Sequence, residues 1–339
     1  MKKYNVCVVG VGAVGIEMLR VLKQRNFPAN EIRVFARSAR DIEVDGHVYQ
    51  VQAITPEGFN GVDFALFAGT EGEKGAAVTY AREAVKRGAV VIDNGADFRM
   101  DKDVPLVVPE VNARDAKKHK GIIANPNCST IQMVVALWPI YKRAGIKRVI
   151  VTTLQASSGA GRAAVEQLKE EVTRISAAGF SSVNANIEQR SMPQQLGFNV
   201  FPHIGGFAEH GYTSEEWKLV RETHKIMHDD KIRVSATTVR VPVRTGHSES
   251  IYIETKKPIS VDKVRSLLQK SGGIVVMDDP QKNLYPMPKD IEGRDETFIG
   301  RIRRDPFIKN GLWLWVVADN LRKGAATNAV QIAECLISR

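Results

Sequence analysis

The feature that most constrains the fold is a glycine turn near the N-terminus. Tyr4 to Val9 is rich in β-forming residues and leads through Gly10-Val-Gly-Ala-Val-Gly15 into apolar residues at helical spacing. A strand, a GxGxxG turn and a helix in this order let the backbone approach a pyrophosphate, whose charge the helix N-terminus receives. The alternative is a turn that only packs the helix on the strand. We expect a dinucleotide site formed by Gly10, Gly12, Ala13, Val14 and Gly15.

Strands and helices continue to alternate after this turn. Strands are expected at Ile32–Phe35, Val62–Ala68 and Ala89–Ile92, and a helix is expected from Ala76 to Lys86. This alternation predicts an α/β fold class, with a Rossmann-type doubly wound parallel sheet.

The second half of the chain has a different pattern, in which strands follow one another more closely. It predicts an α+β domain with a mostly antiparallel sheet. We expect a nucleotide domain at 1–128, completed by a C-terminal helix at 320–339, and a second domain at 129–319. The strands expected in that second domain are Arg148–Leu154, Ile232–Val243, Ile251–Thr255, Ile274–Met277 and Leu312–Ala318.

The residues after the second strand favour one cofactor. NAD-binding folds usually place an acid there to hold the ribose hydroxyls, but this chain has Arg37 and Ser38. A guanidinium and a hydroxyl suit a 2′-phosphate, so the sequence predicts NADP(H). The alternative is that Arg37 and Arg40 are solvated loop charges.

Cys128 is the candidate nucleophile. It follows Asn125-Pro-Asn127 at the start of an apolar helical pattern, where unpaired N–H groups and the helix dipole favour a thiolate. A thiolate is the form that attacks a carbonyl carbon. The alternative is a buried structural cysteine, which is the commoner fate of an isolated one.

Other polar residues stand at positions where ligands could bind. Arg99 follows a predicted strand at the ligand-binding edge of the sheet, where it faces either an anion or a surface ion pair. Ser214 is placed to cap a predicted helix on which Glu215 and Lys218 share a face, a pattern that usually decorates a surface. His247 lies in a predicted turn, 244–250, between two strands, and spacing alone does not separate it from the other histidines.

Composition excludes several function classes. The net charge of +10 is spread along the chain without the dense basic runs of a nucleic-acid-binding surface, so no nucleic acid is expected. No apolar run suits a bilayer span or a signal peptide, and no membrane association is expected. The cysteines form neither a disulfide framework nor a zinc motif, which favours a cytoplasmic protein without a bound metal.

Eight blocks of the sequence, taken together and in order, match the pattern of one known family. They are Val9–Gly15, Pro105–Asn112, Asn125–Thr130, Gln155–Gly161, Glu215–Lys218, Arg240–Val243, Gly246–Ser250 and Trp315–Ala325. Over nearly its whole length the chain therefore resembles the aspartate-β-semialdehyde dehydrogenase family. The resemblance implies NADPH-dependent reduction of L-aspartyl-4-phosphate to L-aspartate-4-semialdehyde, with release of phosphate, in lysine, threonine and methionine biosynthesis. It also implies a homodimer whose second domain carries catalysis and dimerisation.

The resemblance assigns the chemistry to particular residues. Cys128 attacks the acyl phosphate and forms a thioester, and His247 takes the acid–base role. Gln155 orients the acyl group. Arg99 and Lys218 are the cations that assist the departing phosphate.

The resemblance also assigns binding roles. Arg240 grips the substrate α-carboxylate, and Glu215 complements the ammonium. Asn127 is grouped with the substrate- and phosphate-binding residues. Asn320 and the Ser158-Gly159 backbone contact the cofactor.

Two rival functions remain open in the sequence. N-acetyl-glutamyl-phosphate reductase shares the cysteine and the cofactor, but its substrate has no ammonium for Glu215. A non-catalytic regulatory paralogue would have lost one of Cys128, Gln155, Arg240 and His247. Two segments near the expected nucleotide and phosphate sites, Gly69–Glu71 and Gly95–Asp97, depart from the family pattern.

Overall fold

The computed structural model describes residues 2–69, 75–179 and 191–337. The chain divides into two compact units, one formed by Met1–Ile131, Lys225–His228 and Leu321–Arg339, and the other by Gln132–His224 and Asp229–Asn320. Thr70 and Glu71 lie outside the described residues, so the effect of that departure from the family pattern stays open.

The first unit is built on one twisted sheet. Its strands are β1 (Tyr4–Val9), β2 (Ala29–Ala36), β3 (Arg40–Val44), β4 (His47–Ala53), β5 (Phe64–Phe67), β6 (Val90–Asp93) and β7 (Ile122–Ala124). They pair in the order β3-β4-β2-β1-β5-β6-β7, and the pairs are parallel except β3 with β4. This confirms the predicted Rossmann-type sheet.

Helices connect these strands and bury their apolar faces. α1 (Ala13–Gln24) buries Met18, Leu19 and Leu22 in the core beside Val6 and Val8 of β1. The other helices are α2 (Ala76–Lys86), α3 (Pro109–Asn112) and α4 (Cys128–Ala144), within which the chain passes into the second unit.

The second unit contains a mixed sheet with the strand order β11-β12-β13-β10-β8-β9. The three central pairs are antiparallel, whereas β11 with β12 and β8 with β9 are parallel, so the predicted, mostly antiparallel sheet is confirmed. Its strands are β8 (Ile146–Gln155), β9 (Arg233–Arg240), β10 (His247–Thr255), β11 (Ile274–Val276), β12 (Thr297–Arg304) and β13 (Gly311–Ala318). The helices are α5 (Arg162–Ala177), α6 (Ser214–Met227), α7 (Val261–Gln269) and α8 (Pro288–Ile291).

The last helix, α9 (Thr327–Ile337), lies in the first unit. A π-helical turn at Arg322–Ala326 precedes it. Ala329, Val330 and Ala333 are buried in the same core as Met18, because small side chains allow close approach to neighbouring elements. Within the described residues, no helix combines the length and the apolar character needed to cross a membrane.

Two predictions of local structure were wrong. β10 begins at His247, so that histidine is the first residue of a strand and not part of a turn. Helix α6 is capped by Thr213 and not by Ser214, because the Thr213 hydroxyl accepts the N–H of Glu216 (3.3 Å) and the Glu216 carboxylate accepts the N–H of Thr213 (2.7 Å).

Candidate active site

The sequence-predicted site residues fall into two groups, one in each unit. The first unit holds the glycine turn, Arg37, Ser38, Arg99, Asn127 and Cys128. The second holds Gln155, Ser158, Gly159, Glu215, Lys218, Arg240, His247 and Asn320.

The glycine turn has the shape that a pyrophosphate needs. Gly10 has a φ of +101°, a conformation that side-chain-bearing residues rarely adopt. A Cβ at Gly12 would have no atom within 4 Å, so space is open at the N-terminus of α1. Among the described residues no side chain caps this helix, and its first turn carries no acid. The turn therefore fits an anionic dinucleotide bridge.

Arg37 and Ser38 directly follow β2, and both are exposed. Arg40, the first residue of β3, donates from Nη1 to the Ser38 hydroxyl at 3.3 Å. The hairpin of β3 and β4 thus brings a second guanidinium to the corner where the sequence predicts a 2′-phosphate.

Cys128 is the first residue of α4 and is half-buried. Asn127 caps this helix, since its Oδ1 accepts the N–H groups of Ser129 (3.0 Å) and Thr130 (3.2 Å). The predicted substrate-binding residue Asn127 therefore also fixes the helix start that positions Cys128.

A buried polar network holds the segment before Cys128. Asn125 donates through Nδ2 to Asn94 (2.8 Å), and its Oδ1 accepts from Asn328 (2.7 Å) in α9. Arg99 is buried and donates to the carbonyls of Asn125 (3.0 Å) and Asn94 (2.7 Å). Lys225 in turn donates to the Arg99 carbonyl (2.7 Å). Asn328 could not be recognised from the sequence, apart from its place on the buried face of a helix.

In the second unit, three predicted residues lie at the ends of neighbouring strands. Gln155 is the last residue of β8 and is paired in register with Arg240, the last residue of β9. His247 is the first residue of β10. The Ala156 peptide joins two of them. Its N–H donates to Nδ1 of His247 (3.0 Å), and its carbonyl accepts from Nη1 of Arg240 (2.6 Å).

This geometry sets the protonation state of His247. The imidazole is fully buried, and burial, with a smaller contribution from Arg240, holds its pKa well below the usual value of 6.5. Because Nδ1 accepts the Ala156 N–H, the neutral ring carries its proton on Nε2. Gly159 makes room for the ring, because a Cβ there would lie 3.0 Å from Nε2.

Glu215 joins the other predicted residues of this unit. Its carboxylate accepts from Gln155 Nε2 (3.2 Å) and pairs with Lys218 Nζ (3.4 Å). Glu215 is buried, which distinguishes this pair from ordinary surface decoration.

Asn320 has a structural task that the resemblance did not imply. Its Oδ1 accepts the Gly246 N–H (2.9 Å), and its Nδ2 lies 3.0 Å from the Ser158 hydroxyl. It thus ties the residue before His247 to the loop after β8. The cofactor contacts of Asn320, Ser158 and Gly159 stay predictions.

The sequence reasoning missed Ala156, Thr213 and Glu249. Ala156 acts only through its peptide, which no residue type signals. Glu249 is fully buried two residues after His247. Because residues two apart in a strand lie on the same face, this spacing could have indicated Glu249 from the sequence.

Comparison with known families gives two matches that cover most of the chain. The family model described as "Semialdehyde dehydrogenase, NAD binding domain" matches residues 5–119. The model described as "Semialdehyde dehydrogenase, dimerisation domain" matches residues 137–323.

Individual proteins agree with these models. The chain is 54% identical over 342 residues to aspartate-semialdehyde dehydrogenase of Aquifex aeolicus, covering 98% of both chains. It matches the crystal structure of aspartate semialdehyde dehydrogenase II of Vibrio cholerae complexed with ASA, with a TM-score of 0.92, 43% identity and 99% of both chains covered. The structure of the Candida albicans enzyme with NADP matches with a TM-score of 0.73 and 25% identity, again over 99% of both chains.

Proposed function

The chain belongs to the aspartate-semialdehyde dehydrogenase family, and on this premise we propose how its own residues carry out the reaction. L-Aspartyl-4-phosphate is reduced with NADPH to L-aspartate-4-semialdehyde, and phosphate is released. The observation that carries this proposal is the Ala156 peptide, which holds Arg240 and His247 beside Gln155.

Cys128 provides the nucleophile. Its thiolate forms a C–S bond to the acyl carbon, and the C–O bond to phosphate breaks, so the acyl group is held as a thioester. Arg99 and Lys218 bear the charge of the departing phosphate, and Asn127 belongs to the same proposed set of substrate- and phosphate-binding residues.

Recognition of the amino-acid end falls to buried charges. Arg240 presents a planar fork to the α-carboxylate, for which lysine is a poor substitute. Glu215 complements the α-ammonium. An N-acetylated substrate has no such charge, and the relatives reported above carry the aspartate-semialdehyde name, so N-acetyl-glutamyl-phosphate reductase is not favoured.

His247 enters as a hydrogen-bond donor. With Nδ1 engaged by Ala156, its Nε2–H is the group that faces developing negative charge on the substrate oxygen, while Gln155 orients the acyl group. Collapse of the reduced adduct breaks the C–S bond and returns the Cys128 thiolate.

NADPH supplies the hydride when it is bound. The glycine turn fits its pyrophosphate, and Arg37, Ser38 and Arg40 form a corner suited to a 2′-phosphate. Ser158, Gly159 and Asn320 complete the proposed cofactor contacts. We further propose a cytoplasmic homodimer, with residues 1–128 and 320–339 forming the cofactor domain and 129–319 the catalytic and dimerisation domain.

The test is the reverse reaction, followed as NADPH formation from L-aspartate-4-semialdehyde. Turnover is expected to require phosphate, and kcat/KM is expected to be higher with NADP than with NAD. N-Acetyl-glutamate semialdehyde is expected to react with a kcat/KM lower by about tenfold or more, because Glu215 is left without its charged partner. A folded protein without phosphate-dependent turnover would overturn the proposal.

A matched variant tests the nucleophile. Cys128→Ala is expected to abolish turnover while the Kd for NADPH, measured by fluorescence, stays unchanged. Cys335→Ala serves as the control, because that cysteine lies in α9, outside the proposed machinery. Substantial turnover by Cys128→Ala would exclude the thioester route.

A further inference from the structure

Behind the row of Gln155, Arg240 and His247 lies a second polar row that none of the assigned roles uses. Glu249 of β10 is paired in register with Thr153 of β8, which is paired with Thr238 of β9. Each lies two residues along its strand from the first row, and therefore on the same face of the sheet. The next residues on this face, Val151, Ala236 and Ile251, belong to the apolar core.

Glu249 is the acid of this second row, and its carboxyl group is sealed from solvent. The side chain is 0% exposed, and among the described residues neither carboxyl oxygen has a hydrogen-bond partner at normal distance and angle, although the Gln132 amide is close enough to influence the pKa of the acid. The neighbouring polar group is Gln132, which lies on α4 about one helical turn after Cys128. Gln132 donates through Nε2 to the His247 carbonyl (3.4 Å), while its Oε1 has no partner within the same described ranges.

The elements packed around Glu249 present few charges. β8 and β13 present Thr153 and Val316 to it, and α4 presents Gln132. The charges farther along this side of the sheet are Arg240, already bound to the Ala156 carbonyl, and residues of α6. The latter are the acids Glu215, Glu216 and Glu222, and Lys218, which pairs with Glu215 at 3.4 Å. An ionised carboxylate in this place would be a buried charge without a paired cation, which is strongly unfavourable.

We propose that Glu249 is carried as a neutral carboxylic acid whose O–H donates to Oε1 of Gln132, and that this uncharged pair is a positioning element for His247. This hydrogen bond joins a Glu249 carboxyl oxygen to Oε1 of Gln132, and both oxygens lack a hydrogen bond without it. Gln132 is thereby oriented so that its Nε2 holds the His247 carbonyl. The role assigned to His247 rests on the proposed function, but the protonation state of Glu249 does not.

The neutral acid also protects the charge state of the imidazole. A carboxylate two residues away on the same face would favour the imidazolium, which needs a proton on Nδ1 where Ala156 donates. A neutral acid leaves the ring neutral, with its proton on Nε2. Burial raises the pKa of Glu249 well above 4.5, and Gln132 lowers it by less, which agrees with this arrangement.

Stability against pH tests the protonation state without any assay of turnover. Above about pH 4.5 the unfolded chain loses the Glu249 proton and the native protein keeps it, so this group makes the native state less stable as pH rises. The amide of the Glu249→Gln variant does not titrate, so its stability does not fall with pH for this reason. The unfolding equilibrium constant of the wild type, relative to that of the variant, is expected to rise tenfold per pH unit until the native pKa is reached.

Glu171→Gln is the matched control. Glu171 is also fully buried, but its carboxylate accepts the N–H groups of Leu196 (2.7 Å) and Gly197 (2.6 Å). Its amide variant is expected to be less stable than the wild type at pH 8. If Glu249→Gln behaves in the same way, or does not fold, the neutral-acid proposal is overturned.

Kinetics tests the positioning role. Glu249→Gln is expected to keep the acid limb of the kcat–pH profile, whereas Gln132→Met is expected to lower kcat by about five- to tenfold with little change in KM, as loss of a buried neutral hydrogen bond implies. A shift of the acid limb in Glu249→Gln would show that Glu249 is ionised and acts as a charge partner. An unchanged kcat in Gln132→Met would exclude the positioning role.

Discussion

At the scale of single residues, one backbone peptide connects Arg240 and His247, two of the candidate site residues of the second unit. The Ala156 N–H donates to Nδ1 of His247 at 3.0 Å and so favours the neutral ring that carries its proton on Nε2. The Ala156 carbonyl meanwhile accepts from Nη1 of Arg240 at 2.6 Å and so fixes the orientation of the guanidinium. The Ala156 peptide thereby positions the Arg240 cation and the neutral His247 imidazole next to each other, although these two side chains form no ion pair.

Arg240→Lys is the prediction that belongs to this scale. Lysine keeps the charge but lacks the planar fork that can serve both the Ala156 carbonyl and a substrate carboxylate. We expect KM for the semialdehyde to rise by an amount equivalent to about 1–3 kcal/mol, with a smaller change in kcat. Arg148→Lys is the control, since Arg148 pairs with Glu254 at 3.4 Å near the surface and is expected to leave KM unchanged. Unaltered KM and kcat in Arg240→Lys would remove Arg240 from substrate binding.

At the scale of elements, the start of helix α6 connects the sheet to Glu215 and Lys218, the charges proposed to bind substrate. Glu216 accepts the N–H of Thr213 at 2.7 Å and the N–H of Thr238 in β9 at 3.0 Å. One carboxylate therefore closes the capping box and attaches the helix to a strand. Glu215 and Lys218 lie in the turn that this cap orders.

Thr213→Ala is expected to lower the free energy of unfolding by about 1 kcal/mol, the usual loss for a helix cap, and to raise KM through the loosened first turn. Urea unfolding and steady-state kinetics measure the two effects. Thr213→Ser retains the hydroxyl and should restore both. Ser214→Ala should be nearly neutral, and an equal loss from it would show that Ser214 contributes as much to the helix start as Thr213.

How far the sequence predicts the fold depends on whether the signal is local. The glycine turn and helix α2 carry strong local patterns, and the predicted bounds of α2 agree with the structure. The hairpin of β3 and β4 was missed because its strands are largely polar, although Asp45 and Gly46 both have positive φ and form a two-residue turn that an Asp-Gly pair signals. β12 was missed because Arg301, Arg303 and Arg304 mask its alternation.

The candidate site follows the same rule. Motif residues such as Cys128 and His247 are visible in the sequence, because their types carry the chemistry. The partners that orient them are not visible, since Ala156 acts through its backbone and Gln132 through a contact between a helix and a strand. The contact between Asn328 and Asn125 likewise joins positions 203 residues apart. Such partners depend on tertiary packing and not on local pattern.

At the scale of the whole molecule, the second sheet has one face that its own helices leave partly open. Ile150 is 42% exposed in the middle of β8, between Val149 and Val151, which are buried. In register beside it lies Tyr252, which is itself buried and contacts Trp313 with 5.1 Å between the ring centroids. An exposed isoleucine beside aromatic side chains on a strand face is typical of a subunit interface. The match of this region to a dimerisation domain supports the same use.

We therefore expect Ile150→Arg to convert the proposed homodimer into a monomer. A two-fold interface would bury the new charge twice without a partner, at a cost of about 3–5 kcal/mol for each. Light scattering coupled to gel filtration measures the mass, and circular dichroism verifies that the variant is folded. Val48→Arg is the matched control, because Val48 is an exposed strand residue (57%) in the first unit and should leave the mass unchanged. A folded Ile150→Arg variant that keeps the wild-type dimer mass would place the interface elsewhere, and a wild-type monomer would exclude the dimer itself.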